Sequence, residues 1–451
     1  MYLKRKIDRW LIEWKNRKNK SPALIVGIRQ SGKTESIIEF SKLYKNVVNI
    51  NFWTNPEYCE LFEENLNVDK LISSISLRFP QIKISPKDTL LFFDEIQECP
   101  RARLAFKDFE KDGRYDVIGS GSYLGINGYV VGDSTPAPIG YEDVYHMKTM
   151  DFDEFLWANG YSEEQIIELQ WYFDERKIVP NAMHNLYKEL YLKYACVGGF
   201  PKSVKAYIEN SKNIMEAVRI TQNTLFDMKS DFGRRKGKDG KPLFNPSEVA
   251  RIQNVFDLIP NFLTKENKRF ITSKITTGSS MQKVDAIEYL KQAHITYKVF
   301  NLETPSLPLI GNIISSQFKL FPTDIGILTA MYGLDTIIAI NKGELGQGKG
   351  ALYEALVFDS LYKSGIESYY FAKNTGLEID FVICYKGYSC LVESKANNGN
   401  VKASKTVMAH KDHYGPTKLI KIGNYNIGEV GDILTIPHYM SFLLGKTKTY
   451  L

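Results

Sequence analysis

Two short stretches of this chain carry residue types at spacings suited to phosphate chemistry. Gly27-Ile28-Arg29-Gln30-Ser31-Gly32-Lys33-Thr34 places a glycine, four residues, then Gly-Lys-Thr. In that pattern the glycines let the backbone curl so that its N–H groups face a β-phosphate. A helix beginning there adds its positive end. Lys33 then reaches the β- and γ-oxygens, and the Thr34 hydroxyl holds Mg²⁺. A second signal supports the first. Leu90-Leu91-Phe92-Phe93 ends in Asp94-Glu95, an apolar strand finishing in two acids. Asp94 is expected to hold Mg²⁺ through its water shell, and Glu95 to polarise the attacking water. Ser120 or Ser122, beyond the next strand, is placed to sense the γ-phosphate; a plain Gly/Ser turn is the alternative. Together these residues indicate binding and hydrolysis of a nucleoside triphosphate such as ATP.

Near the other end stand Asp380 and, twelve residues later, Glu393-Ser394-Lys395. On a strand Glu393 and Lys395 share a face. Asp380 can join them across a hairpin turned by Tyr385-Lys386-Gly387-Tyr388, the strand Gly376–Asp380 ending at the acid. Glu354, on a helix over Leu352–Leu361, brings a third carboxylate. Like charges at ~4 Å repel by roughly 4 kcal/mol per pair at an effective dielectric near 20. One lysine does not offset that, whereas a divalent cation does. Oxygen ligands favour Mg²⁺, with Mn²⁺ as the other candidate. Asp380 and Glu393 are the expected ligands. The chemistry implied is metal-assisted attack on a phosphodiester, with Lys395 helping to activate water. Ordinary surface charge on an edge strand is the competing explanation. The apolar neighbours Phe381, Val382, Ile383, Leu391 and Val392 argue against it.

The elements that must hold these groups are legible in the hydrophobic pattern. Residues 5 to 17 read as an amphipathic helix, with Ile7, Trp10, Leu11 and Trp14 on one stripe. Ala23–Val26, Val47–Phe52, Leu90–Phe93 and Tyr115–Ile118 read as short strands alternating with helices, which indicates a parallel α/β sheet. From Phe152 to about 229 the pattern turns helical, interrupted at Tyr194–Pro201. The stretch Asp231–Pro246 reads as a linker. Helices near Glu248–Phe262 and Met281–Ala293, followed by an extended Thr296–Phe300, suit a winged helix-turn-helix. Strands return from Gln317, with a helix over Ala351–Ser364.

A chain of 451 residues, 43% hydrophobic and 24% charged, is expected to form two to four domains. No apolar run is long enough for a membrane span. The first residues lack the apolar core of a secretory signal. The five cysteines are odd in number and lack paired metal-ligand spacing, so a reducing cytoplasm is the expected location. The net charge of +6 sits entirely in residues 1 to 20, which hold eight Lys/Arg and two Asp/Glu. A second basic run is Arg234-Arg235-Lys236-Gly237-Lys238. Such clusters bind phosphate backbones or simply solvate a surface.

These residues resemble the bacterial and archaeal AAA+-like P-loop ATPases that carry a C-terminal PD-(D/E)XK nuclease-like domain. The resemblance spans essentially the whole chain. It includes the two stretches above and Phe93-Asp94-Glu95-Ile96-Gln97, Phe152-Asp153-Glu154-Phe155-Leu156, Val197-Gly198-Gly199-Phe200-Pro201, Phe318-Lys319-Leu320-Phe321-Pro322-Thr323-Asp324-Ile325-Gly326 and Ala351-Leu352-Tyr353-Glu354. It implies an α/β protein with an AAA+-like P-loop NTPase domain (residues 1–150) and a helical lid (151–230). A winged-helix segment (244–305) and a restriction-endonuclease-like α/β domain (310–451) are implied to follow. Where many relatives carry Gly-Arg, this chain has Pro138-Ile139-Gly140-Tyr141. The hydrolytic arginine is thus left open among Arg101, Arg103, Arg114 and a neighbouring subunit.

The function expected on these grounds is ATP hydrolysis coupled to a Mg²⁺-dependent nuclease-like domain acting on DNA. The alternative is an ATP-controlled switch that binds DNA or protein without cutting. A signalling NTPase with no nucleic acid ranks last. ATP and DNA are the expected partners, with no membrane, and a homo-oligomer is left open.

Overall fold

The computed structural model describes residues 1–126, 140–233, 242–265, 268–275, 278–344, 346, 348–396 and 402–446. The basic run 234–238 and Pro138-Ile139 lie outside them. The described chain divides into two compact units, one centred on Met1–Thr149 and the other built on most of the chain from Met150 onward.

The first unit is a five-stranded parallel sheet. Its strands are β1 (Ala23–Gly27), β2 (Asn46–Asn51), β3 (Thr89–Asp94), β4 (Asp116–Gly121) and β5 (Asp143–Met147), in the order β2-β3-β4-β1-β5. Both β1 and β3 are buried at every residue, as continuous apolar runs in a parallel sheet require. One face is covered by Phe62, Leu71, Phe106 and Phe109. The other is covered by Ile7, Leu11 and Trp14 of the helix Lys6–Asn16, with Ile37 and Phe40 of the helix Lys33–Ser41. The fifth strand, β5, has the mixed sequence Asp-Val-Tyr-His-Met and gave no signal in the hydrophobic pattern. As an edge strand it buries only Met147, which is why it lacks an apolar run.

The second unit opens with helices from Phe152–Ala158 to Ile214–Asp231. It then builds an eight-stranded mixed sheet from β6 (Thr296–Leu302), β7 (Ile313–Pro322), β8 (Ser368–Ala372), β9 (Glu378–Tyr385), β10 (Tyr388–Lys395), β11 (Lys418–Gly423), β12 (Gly428–Val430) and β13 (Ile433–Pro437). The order is β12-β13-β11-β10-β9-β8-β6-β7. The extended segment expected as a wing is therefore β6. It pairs antiparallel with β7 and touches β8, inside the same sheet as the C-terminal strands. Lys386 and Gly387 both take positive φ, 51° and 82°, and close a two-residue hairpin between β9 and β10. Asp380 lies near the start of β9. The strand runs on through Phe381-Val382-Ile383-Cys384-Tyr385 because three of those five are deeply buried aliphatic or aromatic residues that prolong the pleat. No described helix is long and apolar enough to cross a membrane.

A buried ionic knot ties the helical part of this unit to the helix Lys349–Lys363. Lys363 Nζ lies 2.9 Å from Asp324 Oδ2 and 2.9 Å from Asp359 Oδ1, and it donates to Tyr194 Oη at 2.8 Å. Tyr194 Oη in turn donates to Asp359 Oδ2 at 2.7 Å. Gly199 N donates to Asp324 Oδ2 at 3.0 Å and Gly326 N to Asp324 Oδ1 at 2.9 Å. Gly198, Gly199 and Gly326 pack so closely that no Cβ fits. A methyl on Gly199 would stand 2.1 Å from Met150 O.

Candidate functional site

In the first unit the loop between β1 and the helix Lys33–Ser41 is shaped by its glycines. Gly27 approaches β5 so closely that a Cβ would meet Met147 O at 2.4 Å. Gly32 takes φ 94° at the helix start. Lys33 Nζ curls back to Gly27 O at 3.0 Å and Ile28 O at 3.1 Å. Burial lowers its pKa, and Glu95 and Asp94 oppose that shift. Ser31 Oγ is buried with no hydrogen-bond partner among the described residues. That orphaned donor, with an ammonium folded onto the carbonyls of the same loop, fits an incoming phosphate.

The acidic end of β3 gathers the rest. Thr34 Oγ1 lies 3.2 and 3.1 Å from the two Asp94 oxygens, and Asn51 Nδ2 donates to Asp94 Oδ2 at 2.9 Å. Ser120 Oγ, also expected near the γ-phosphate, donates to Asp94 Oδ1. Thr34 and Asp94 therefore stand together as the residues that would hold Mg²⁺. Glu95 sits just beyond at φ 52° and accepts from Gln97 Nε2 at 2.6 Å. Arg29 stacks its guanidinium toward the exposed Trp53 ring, 5.8 Å away.

Sequence reasoning missed Arg5. Its Nη1 donates to Ser31 O at 2.7 Å and Nη2 to Lys148 O at 2.8 Å, so a residue of the basic N-terminus braces the phosphate loop. Other cations of that cluster are also engaged within the fold: Lys15 over the Tyr44 ring, Arg17 with Asp143, Lys20 with Asp116. These four are thus held by partners within the fold, a role that neither phosphate binding nor a merely solvated surface describes. The three arginines considered for hydrolysis have partners too. Arg101 donates to Phe62 O, Arg103 pairs with Glu142, and Arg114 pairs with Asp69 and Asp112.

In the second unit Asp380, Glu393 and Lys395 lie together on the β9–β10 pair, and Glu354 is near enough for its charge to act on Asp380 and Lys395. β10 runs antiparallel to β9 with Val392 opposite Phe381, which sets Glu393 beside Asp380. Asp380 Oδ2 accepts from Ser394 N at 2.9 Å, and Lys395 Nζ lies 2.8 Å from Glu393 Oε2. Glu393 Oε1 accepts from Ser404 Oγ. Burial, then the charges of Glu354 and Glu393, push the Asp380 carboxyl up to about 7. Burial would lower Lys395, but Glu393 and Asp380 outweigh it and raise its pKa.

Two lysines not expected at this site change the electrostatics. Lys319, in the middle of β7, lies 3.0 Å from Glu354 Oε1 and 2.8 Å from Glu378 Oε1, and Lys268 pairs with Glu354 Oε2. Burial alone would raise Glu354, yet these ammonium groups bring it down to about 2. The expectation that a single lysine faces three carboxylates is corrected: three lysines do. Lys319 was detectable as the one charge inside the apolar run Phe318-Lys319-Leu320-Phe321. Lys268 left no such signal. Among the described residues no group of three His, Cys, Asp or Glu is arranged to hold a metal. Asp380 and Glu393 remain as a pair of hard oxygen donors whose mutual repulsion a divalent cation would relieve, so they fit Mg²⁺ in chemistry.

A parallel sheet with this loop and acidic strand end defines a P-loop nucleotide-binding domain. Residues 19–156 match the family model described as AAA domain, so the chain carries an AAA-type ATPase domain, which binds and hydrolyses ATP. Residues 188–337 and 349–439 match two families described as domains of unknown function, DUF8612 and DUF4143. A search of curated proteins gave no significant match. Among solved structures, a Walker-type ATPase of Pyrococcus abyssi, PABY2304, aligns at 13% identity and TM-score 0.42, covering 73% of this chain and 96% of that one. The ORC2 protein of Aeropyrum pernix, as its ADPNP-ADP complexes, aligns at 13% identity and TM-score 0.34, covering 76% and 95%.

Proposed function

We propose that this protein is an ATPase whose nucleotide cycle controls a Mg²⁺-dependent nuclease-like site in its C-terminal unit, acting on DNA. The observation that carries this reading is the placing of Asp380 beside Glu393 and Lys395 across the β9–β10 hairpin, with Glu354 near enough for its charge to act on Asp380. It is supported by the element order around them: a helix, three antiparallel strands, two short helices, and a strand parallel to the third. Asp380 and Glu393 would hold the cation, which supplies charge stabilisation at a phosphate. Lys395 stays protonated beside Glu393, so it acts as a fixed positive charge that orients a phosphate oxygen or the attacking water.

Supercoiled plasmid incubated across Mg²⁺, Mn²⁺, ATP and ADP tests the proposal. Nicking or linearisation is expected for the wild type. It should be lost in Asp380→Ala, which keeps its ATP turnover. Intact DNA under every combination overturns the cutting role.

A specific observation favours the second reading, an ATP-controlled switch that binds without cutting. Lys268 and Lys319 already neutralise Glu354, which lessens the need for a metal. If Lys395→Ala retains full biological activity, this reading replaces the first. DNA bound through about six phosphates would lose affinity with a log–log salt slope of about −5, and a flat response would point to a protein partner.

A further inference from the structure

Glu393 stands on a sheet face that one short helix covers. Along β10, Leu391, Glu393 and Lys395 alternate onto the same side. β9 sets Val382 opposite Leu391, and Asp380, two residues before Val382, shares that side. Leu391 and Val382 pack in one buried cluster with Val407 of the helix Lys402–Ala409. That helix therefore lies over the face that carries the acids. Ser404 precedes Val407 by three residues, which puts both on the inner side of the helix. Both are fully buried.

A serine at such a position takes a hydroxyl out of water where an apolar residue would pack, and it costs free energy unless the hydroxyl has a partner. Here the partner is the candidate site itself: Ser404 Oγ donates to Glu393 Oε1. Lys395 Nζ holds the other oxygen, Oε2, at 2.8 Å. The two donors differ in what an arriving cation does to them. A divalent ion repels the Lys395 ammonium, whereas a neutral hydroxyl keeps its bond to a carboxylate that binds metal. Asp380 is held in the same manner, by the neutral Ser394 N–H at 2.9 Å. Each acid of the pair thus has one oxygen anchored by an uncharged donor.

We propose, resting on the reading of Asp380 and Glu393 as the pair that would hold Mg²⁺, that Ser404 is the positioning residue of that pair. Its hydroxyl holds the Glu393 carboxylate in one orientation, so this ligand is set before a cation arrives. Ala403 and Met408, which the same helix also packs against the cluster, have no side-chain donor to offer Glu393, and neither has Val407. Partners of this kind set the affinity of the ligand they hold: losing one costs a metal site about 10- to 100-fold.

Mn²⁺ binding to the nucleotide-free full chain, followed through the electron paramagnetic resonance signal of the free ion, tests this. The wild type is expected to bind Mn²⁺ at a site that Asp380→Asn removes. Ser404→Ala should weaken that site by about 10- to 100-fold. Ser404→Thr and Ser404→Val share one shape and differ in the hydroxyl, so the pair decides even where lost packing destabilises Ser404→Ala. Ser404→Thr should bind Mn²⁺ severalfold more tightly than Ser404→Val. Equal affinity in those two, or unchanged affinity in Ser404→Ala, overturns the role of Ser404 and leaves the cation site standing. A wild type with no Asp380-dependent Mn²⁺ site overturns the metal reading itself, and the role of Ser404 with it.

Discussion

Lys319 Nζ stands 3.0 Å from Glu354 Oε1, with both side chains buried and each also engaged by a second partner of opposite charge. Removing one member of such a set strands the other charges away from water. Lys319→Met is expected to destabilise the protein by about 3–5 kcal/mol. The double variant Lys319→Met/Glu354→Gln should recover part of that loss. Urea denaturation of the four-member cycle measures both, and an additive result would mean the two charges do not interact.

The ionic knot around Lys363 should give stability a distinct pH dependence. Burial raises the Asp359 carboxyl to about 6, with Lys363 pulling it back and Asp324 adding to the rise. Between its ordinary value near 4 and about 6, the folded state therefore holds more protons at Asp359 than the unfolded chain. Stability from this group is present at the acid end of the window and falls as pH rises through it. Asp359→Asn should remove that slope, read as the difference in urea midpoint between variant and wild type from pH 4 to 7. A slope identical in both would refute the assignment.

Legibility in the sequence followed burial. The strands β1 and β3 were plain because both are buried at every residue, so their apolar runs are continuous. The phosphate loop and the Asp94-Glu95 end followed from them. The edge strand β5 escaped because it covers little of the core. The segment expected to be winged carries a related ambiguity: two helices and a strand have the same local pattern whether the strand ends a small domain or joins a larger sheet. Only the long-range pairing of Thr296–Leu302 with Ile313–Pro322 separates the two. At the C-terminal site the acids could be found by spacing, since a hairpin links them. Lys268 and Lys319 reach Glu354 from positions 86 and 35 residues away, and no local pattern encodes that approach.

Gly199 offers a sharp steric test of the second unit. Its backbone N donates to Asp324, its O accepts from Met150 N at 2.7 Å, and a Cβ would lie 2.1 Å from Met150 O. Backbone, unlike a side-chain tip, cannot swing away. Gly199→Ala should cost more than about 2 kcal/mol, in the range of strained or overpacked core changes. Thermal melting checks it. Gly160, with open space around its Cβ position but φ 92°, should lose only about 1 kcal/mol on the same change, set by its backbone angle.

Arg5 should influence nucleotide binding without touching nucleotide. Its guanidinium holds Ser31 O from behind the loop, so Arg5→Ala frees the carbonyl while leaving Lys33 and Thr34 in place. A weakening of ATP affinity of about tenfold, roughly the 1.4 kcal/mol of one good hydrogen bond to a charged group, is expected by titration with a fluorescent nucleotide. Arg5→Lys should restore only part of the affinity, because one ammonium cannot span both Ser31 O and Lys148 O in the fork that guanidinium provides.

Binding and hydrolysis should separate cleanly between Lys33 and Glu95. Lys33 Nζ, now held by Gly27 O and Ile28 O, is expected to exchange those carbonyls for phosphate oxygens, so Lys33→Ala removes the charge that makes binding favourable. Glu95 lies beyond Asp94 and contacts Gln97, outside the loop itself. Glu95→Gln should therefore bind ATP close to normally while turnover falls by about 10²- to 10⁴-fold, the usual contribution of a general base. Gln97→Ala releases Glu95 Oε2 and should lower turnover less, with unchanged nucleotide affinity. Equilibrium binding and steady-state phosphate release on the three variants check the separation. Loss of binding in Glu95→Gln would instead make that carboxylate part of the nucleotide's own cradle.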